Sequence, residues 1–211
     1  MPKIAKRTYN VENRKIQAQK TKSLILNAAK QLFQKKGFEE VTIEKIASDA
    51  GVAASTIYAL FQSKTGVLRA VMDNALDPER YMELLALVQK RKKETSVAKR
   101  LEVAAIFSRQ IYDAETAQLG SLQNASILSP EFKKLEIERE KRRYERQQES
   151  FETMVKEHPL IKGLSKSKAQ DILWAFTGRD LYRMLVLERG WSSDEYEKWL
   201  TQLLVKTLYD K

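Results

Sequence analysis

Basic side chains carry the clearest chemistry in this chain, and they suit an anionic partner. The 211 residues hold 38 Lys and Arg against 28 Asp and Glu, a formal net charge of +10. Residues 1–66 contain 12 of the basic and 5 of the acidic residues, so +7 of that charge lies in the first third. Such an excess attracts nucleic acid, an anionic membrane or an acidic protein.

Other kinds of chemistry lack the side chains they need. There is no Cys, which excludes thiol nucleophiles, disulfides and zinc-thiolate sites. The single His158 argues against Ser-His triads and histidine metal cages. We therefore predict no catalytic residue, no metal ligand, no cofactor and no enzymatic activity.

The chain also lacks the patterns of membrane and secreted proteins. No run of 18 apolar residues is present, and no apolar run follows the basic N-terminus. We predict no membrane partner and a cytoplasmic location.

The elements that must position these side chains are predicted to be helices throughout. Gly and Pro are scarce, at 7 and 4, and apolar residues recur with a helical period almost everywhere. In the first third we expect a helix from about Gln19 to Gly37 with the apolar stripe Leu24, Leu26, Ala28, Leu32 and Phe33, short helices near 43–50 and 54–61, and one from Ser63 to Asp77-Pro78. Beyond it we expect helices near 79–92, 96–117, 121–128, from Ser129-Pro130 to His158-Pro159, 167–189, and 193–209 with Ser192 and Glu195 as a capping box.

The two short helices predict a helix-turn-helix. Thr42 suits the N-cap of the first helix, and Gly51 suits the tight turn between the two because it tolerates a positive φ. In this arrangement the second helix enters the DNA major groove. The alternative is an ordinary pair of helices in a helical protein.

A longer stretch resembles a known family. Residues 21–76 contain A-x3-LF-x3-GF, then T-I-x2-IA-x2-AGV, then S-T-I-Y-x2-F-x-SK. These spacings resemble the N-terminal domain of the TetR family of transcriptional repressors. The resemblance implies an all-α protein with an N-terminal three-helix helix-turn-helix domain joined to a C-terminal helical domain that binds a ligand and dimerises.

The resemblance also implies a set of DNA-binding residues. Family members place the helix that begins at Ala54 in the major groove and contact phosphates through the positions of Thr42, Tyr58 and Lys64. The full predicted set is Thr42, Ala53, Ala54, Ser55, Thr56, Tyr58 and Lys64. The alternative for Tyr58 is a partly buried core tyrosine.

Two positions depart from the family pattern. Ala53 stands where Ser commonly caps the recognition helix, and Gly66 stands where Glu would complete a capping box with Ser63, so we expect both helix starts to be weakened by about 0.5–1 kcal/mol. Methyls and small hydroxyls dominate the recognition helix. We therefore expect much of the specificity to come from DNA shape and from residues 1–20, interpreted as a flexible basic arm or a solubilising tail.

The C-terminal residues 77–211 are predicted to dimerise and to bind a ligand, as the resemblance implies. The predicted dimer interface is Leu185, Trp199, Leu200, Leu203 and Leu204. The predicted ligand-contacting residues are Phe107, Ile111, Tyr112, Tyr144, Phe151, Trp174 and Arg179. The alternative for both sets is packing within the chain's own core.

These observations favour one function over its rivals. We expect a sequence-specific DNA-binding regulator: a homodimeric repressor that a small-molecule effector releases from a palindromic operator in double-stranded DNA. An activator, a regulator that needs no ligand, and a helical adaptor for an acidic partner are the alternatives.

Overall fold

The computed structural model describes residues 4–126 and 130–209, except for the side chains of residues 4–12, 15 and 118–126. Helices make up nearly all of this part, and no strand occurs within it. In chain order they are α1 (Ile4–Lys36), α2 (Ile43–Ala50), α3 (Ala54–Phe61), α4 (Lys64–Asp73), α5 (Pro78–Arg91), α6 (Val97–Ser126), α7 (Pro130–Glu157), α8 (Lys166–Phe176), α9 (Arg179–Tyr182), a π-helical segment (Arg183–Glu188) and α10 (Ser193–Tyr209). This architecture confirms the predicted all-α class.

Among the described residues, those up to Asn74 form one compact unit together with 119–126 and 130–133. In it α1 packs against α2 and α4, and α3 packs against both of these shorter helices. Ile25, Ile46 and Ile57 are fully buried where these helices meet. Phe38, just after Gly37, lies 5.5 Å from the Phe33 ring between centroids, as the Gly at the end of α1 predicts.

The second unit comprises residues 75–118 and 134–209 of the described chain. Its core is built on α10, where Tyr196, Leu200, Leu204 and Leu208 recur on one face without solvent exposure. Ser192 and Glu195 form the predicted capping box at the start of α10, since Ser192 Oγ accepts from the Glu195 N–H and the Glu195 carboxylate accepts from the Ser192 N–H.

Helix α1 differs from its prediction in where it begins and in which of its residues face the core. It begins at Ile4 and not near Gln19, because residues 4–18 contain no Pro or Gly and are rich in good helix formers. The predicted basic arm is thus helical from Ile4; Lys3 and the side chains of Lys6, Arg7 and Lys15 lie outside the described part. Ile25 occupies the core where the sequence suggested Leu24, which is 55% exposed.

Two later helices also differ from expectation. The helices predicted at 96–117 and 121–128 are one helix, α6, as far as Ser126, because no Pro lies within it after its start and the single Gly120 between them costs only about 1 kcal/mol of helix propensity. The helix predicted at 167–189 is broken at Thr177-Gly178. There the Thr177 side chain bonds back to the Leu173 carbonyl, 2.7 Å away, and a Cβ on Gly178 would lie 2.9 Å from the Ala175 carbonyl oxygen.

Candidate DNA-binding site

Helix α2 is fixed at both ends. Thr42 is its N-cap in extended conformation, and Thr42 Oγ1 accepts a hydrogen bond from the Lys45 N–H at 3.2 Å. At the other end Gly51 has φ 66°, and its N–H bonds to the carbonyls of Ala47 and Ser48. Because Gly takes this left-handed conformation without a Cβ clash, the turn into α3 is tight. Thr42 is exposed at the surface.

Helix α3 buries one face and exposes the other. Ile57 and Phe61 are buried, whereas Ala53, Ser55 and Tyr58 are exposed. Tyr58 is 48% exposed, so about half of its surface is open to solvent. Ala54 and Thr56 are half-buried at the start of the helix. The arrangement leaves α3 with one exposed face, and the N-cap of α2 is exposed as well.

The start of α3 is held by backbone alone, as expected. Ala53 makes no side-chain cap, and its carbonyl accepts from the Thr56 N–H at 3.0 Å. Three further exposed residues on or just after α3, namely Ala59, Leu60 and Gln62, were absent from the predicted set. Helical spacing sets Ala59 opposite Ile57 and could have identified it, whereas Leu60 at i+3 from Ile57 and Gln62 beyond the helix carried no such signal.

The turn from α3 to α4 explains why position 66 is Gly. Ser63 caps α4, accepting from the Gly66 N–H at 3.0 Å, so the cap itself is present. Gln62 before it has φ 66°, which brings the Phe61 carbonyl oxygen to 1.9 Å from where a Cβ on residue 66 would lie. Glu at this position would collide with that carbonyl. The expectation that Gly66 merely weakens the helix start is therefore wrong for this backbone.

Lys64 makes contacts that the sequence did not indicate. Its Nζ donates to the carbonyl oxygens of Phe38 and Glu39, at 2.8 and 3.2 Å. The same atom lies 4.3 Å from the centroid of the Phe38 ring. Lys64 thus ties the first residue of α4 to the loop before Thr42, and two of its three N–H donors are already used there.

The residues predicted to contact a ligand lie in the second unit, in differing degrees of burial. Tyr112 and Phe151 are buried, and Phe107, Ile111, Tyr144, Trp174 and Arg179 are half-buried. The Tyr112 hydroxyl donates to the Thr177 carbonyl oxygen at 3.3 Å, and burial raises the pKa of this phenol. Tyr144 donates to Asp171 at 3.0 Å, and its ring lies 6.1 Å from that of Trp174.

A polar cluster beside these residues was missed by the sequence reasoning. Thr177 Oγ1 accepts from Arg143 NH1 and from Gln147 Nε2, each at 2.9 Å. Arg143 also donates to the Trp174 carbonyl at 2.9 Å and stacks over the Trp174 ring. These bonds satisfy groups freed by the break after α8, and the Thr177-Gly178 pair was the one signal in the sequence.

The predicted dimer residues divide into two groups. Leu200 and Leu204 have no solvent exposure because they lie in the protomer's own core, so their assignment to an interface is wrong. Leu185, Trp199 and Leu203 are half-buried. Trp199 also lines an open cleft of about 300 Å³, together with Trp191, Glu195, Lys198 and Gln202.

Apolar residues also reach the surface of the π-helical segment before α10. Met184 and Leu187 are 39% and 48% exposed. Throughout the chain's described ranges, no helix has the length and apolar character needed to cross a lipid bilayer.

Comparisons with known proteins agree with this geometry. Residues 25–71, which span α2 and α3, match the family model described as bacterial regulatory proteins, tetR family. The HTH-type transcriptional regulator UidR of Escherichia coli K12 is 31% identical over 62 residues, 29% of this chain and 32% of UidR. The HTH-type transcriptional regulator TtgR of Pseudomonas putida is 25% identical over 112 residues, 53% of each chain. The matches thus cover about a third to a half of these curated relatives.

Solved structures extend the likeness of fold to nearly the whole chain. NalD of Pseudomonas aeruginosa, titled the secondary repressor of the MexAB-OprM multidrug efflux pump, has a TM-score of 0.64 at 21% identity. That comparison covers 90% of this chain and 98% of NalD. SmeT in complex with triclosan has a TM-score of 0.63 at 15% identity, covering 88% and 90%.

The named relatives are transcriptional regulators, which supports the expectation that this chain is not an enzyme. The motif spacings, the exposed face of α3 after a Gly51 turn, and the family match over residues 25–71 all lead to the same assignment. Residues 25–71 of this chain form a helix-turn-helix domain of the TetR family.

Proposed function

We propose that this protein is a homodimeric repressor that binds a palindromic operator and leaves it when a small molecule binds the second unit. The observation that carries the proposal is the exposed face of α3, held after the Gly51 turn. The helix-turn-helix presents such a face to the major groove. As a DNA-binding regulator it would act in the bacterial cytoplasm.

Dimerisation is supported by the apolar surface before α10. Met184 and Leu187 are exposed, and the half-buried Leu185, Trp199 and Leu203 belong to the same part of the chain. A two-fold dimer pairs identical surface patches. Its two helix-turn-helix units then match two half-sites about 34 Å apart. Palindromic recognition follows from that symmetry.

Release by a ligand is supported by the relatives and by the polar cluster at Thr177. SmeT is solved with triclosan, and NalD is titled a repressor of a multidrug efflux pump. In this chain Gln147 Oε1 and Trp174 Nε1 are buried without a hydrogen-bond partner. Buried polar atoms of this kind are available to a ligand or to ordered water. A ligand preferring a conformation with the wrong half-site spacing weakens DNA binding by linkage.

The test begins with the full-length protein and a random library of 30-base-pair duplexes. We expect retained duplexes to converge on an inverted repeat that binds in the presence of nonspecific competitor. Compounds including triclosan are then screened for release of the selected duplex. Retention with no sequence preference would contradict the function and favour the adaptor, whereas specific binding that no compound alters would favour a regulator that needs no ligand.

Repressor and activator are separated by a reporter placed behind the selected operator. Deletion of the regulator is expected to raise reporter expression. A fall in expression after deletion would identify an activator.

A further inference from the structure

The outer face of α3 has an unusual chemical composition for a helix that reads bases. With 100° of rotation per residue, Ser55 and Ala59 lie opposite the buried Ile57 and Phe61. Tyr58 and Leu60 flank this face, at 48% and 45% exposure. The face therefore offers methyl groups, a small hydroxyl and an aromatic ring.

No residue of α3 carries a guanidinium, ammonium, carboxamide or carboxylate group, since the helix reads ASTIYALF. In the major groove, guanine is read chiefly by Arg or Lys and adenine by Asn or Gln, through pairs of hydrogen bonds. Gln62 has such an amide, but it lies past the end of α3 at φ 66°. The helix itself has no side chain for a bidentate contact to a purine.

Thymine is the base that an apolar helix face can recognise. It alone among the four presents a methyl group, at C5, in the major groove, and Ala or Thr methyls are its usual contacts. The net charge of +7 on residues 1–66 supplies attraction to the phosphates without distinguishing bases. The basic residues thus attract the DNA phosphates, and the apolar face of α3 recognises the bases.

We propose that this regulator reads its half-site mainly through thymine C5-methyl groups, with Ala59 as the principal contact on the α3 face. The proposal rests on the proposed function, because it requires α3 to occupy the major groove. The selected half-sites should contain conserved thymines and no conserved guanine opposite α3. DNA shape and the basic N-terminal helix then act on positions outside this contact.

The test removes single methyl groups from the DNA. Each thymine of the selected duplex is replaced in turn by deoxyuridine, which keeps base pairing and loses only the C5-methyl. Affinity for the full-length protein is measured by fluorescence anisotropy. We expect about a fourfold loss at one or two positions of each half-site, the value of one buried methyl-sized group. Positions outside the half-sites should show no change.

The Ala59→Gly variant identifies the contact on the protein side. It should bind the thymine and deoxyuridine duplexes equally at the position that Ala59 touches. Ala175→Gly makes the same change at an exposed helical position outside α3 and should keep the fourfold difference. Thermal unfolding of both variants separates loss of helix stability from loss of the contact.

Each outcome is decisive. Equal binding of thymine and deoxyuridine duplexes at every position by the wild-type protein would overturn methyl recognition while leaving the proposed function intact. A fourfold difference that persists in Ala59→Gly would overturn the assignment to Ala59. Failure to select any sequence would overturn the proposed function itself, and this inference with it.

Discussion

Lys64 is held by the protein's own backbone before any DNA is present. Its ammonium bonds to the carbonyls of Phe38 and Glu39, which precede α2 and the exposed Thr42. The resemblance assigns this position to a phosphate contact, and one N–H of Lys64 remains for that purpose. We infer that the residue both shapes the loop and presents positive charge to DNA.

The Lys64→Ala variant should show both effects. Loss of two hydrogen bonds from a charged donor, at a half-buried site, should lower the free energy of unfolding by about 1–2 kcal/mol. Loss of a phosphate contact should reduce the slope of log K against log salt by about 0.9. Urea denaturation measures the free energy of unfolding, and DNA binding at several salt concentrations measures the slope.

Lys45→Ala is the matched control for Lys64→Ala. Among the described residues, the Lys45 ammonium pairs with Asp49 alone, one turn along α2 at 2.8 Å on the surface, so its loss should change stability little. A Lys64→Ala protein as stable as wild type would contradict the loop role. An unchanged salt slope would contradict the phosphate contact.

Tyr182 gives the second unit a sensitivity to alkaline pH. Burial and a hydrogen bond to the Asp113 carboxylate raise the pKa of Tyr182 to about 12. The unfolded chain loses the same proton near pH 10. Because the folded pKa is the higher one, the stabilisation is complete below pH 10 and is lost as pH rises from 10 to 12.

A comparison of wild type with Tyr182→Phe isolates this proton, because other alkaline titrations are shared. The wild-type protein should be the more stable at pH 9, and the difference should shrink towards pH 12. Urea denaturation at pH 9, 10 and 11 provides the measurement. A difference that stays constant over this range would contradict the assignment.

At the scale of elements, the turn between α3 and α4 depends on a missing side chain. Gln62 at φ 66° directs the Phe61 carbonyl towards Gly66, where no Cβ fits. In an open helix, replacing Gly by Ala would be stabilising. Here the clash is with backbone atoms, which cannot rotate away. Replacing this Gly by Ala is therefore expected to lower stability and not to raise it.

Gly66→Ala should therefore destabilise the protein by about 1–3 kcal/mol, the usual cost of forcing atoms into a packed site. It should also weaken DNA binding, because α3 ends at the displaced Phe61. Thr65→Ala, at the neighbouring position of α4, should change stability much less. Equal midpoints of urea unfolding for Gly66→Ala and wild type would show that the turn relaxes freely.

The elements also show where sequence reasoning succeeds. The helices α2 and α3 follow from local signals, namely the Thr42 cap, the Gly51 turn and the spacing of Ile43, Ile46 and Ile57. All these signals lie within about fifteen residues of one another. The bounds of the two helices of the helix-turn-helix were therefore predictable to within a residue or two.

Features that depend on distant partners were not predictable in this way. The break at Thr177 is stabilised by Tyr112 on α6 and Arg143 on α7, which are 65 and 34 residues away in sequence. The contacts of Lys64 span 25 and 26 residues. Helical periodicity reports which face is apolar, but not which distant donor reaches a freed carbonyl.

At the scale of the whole molecule, the remaining question is how many copies act together. Leu200 and Leu204 lie in the chain's own core, so the proposed dimer interface must use other side chains. Leu187 is a large apolar residue exposed on the π-helical segment, beside the half-buried Val186 and Leu185. Burial of this surface against its two-fold mate would stabilise a dimer.

Leu187→Glu should convert the dimer to a monomer, because the two-fold axis would bring a pair of unpartnered carboxylates into an apolar contact. Light scattering at micromolar concentration should give twice 24.4 kDa for the wild type and 24.4 kDa for the variant. Ile137→Glu makes the same kind of change at an exposed site on α7 and should remain dimeric. The monomeric variant should also lose its preference for the inverted repeat over a single half-site, because one helix-turn-helix contacts only one half-site. A wild-type monomer would contradict the proposed homodimer itself, whereas a Leu187→Glu dimer with unchanged affinity would place the interface away from this surface.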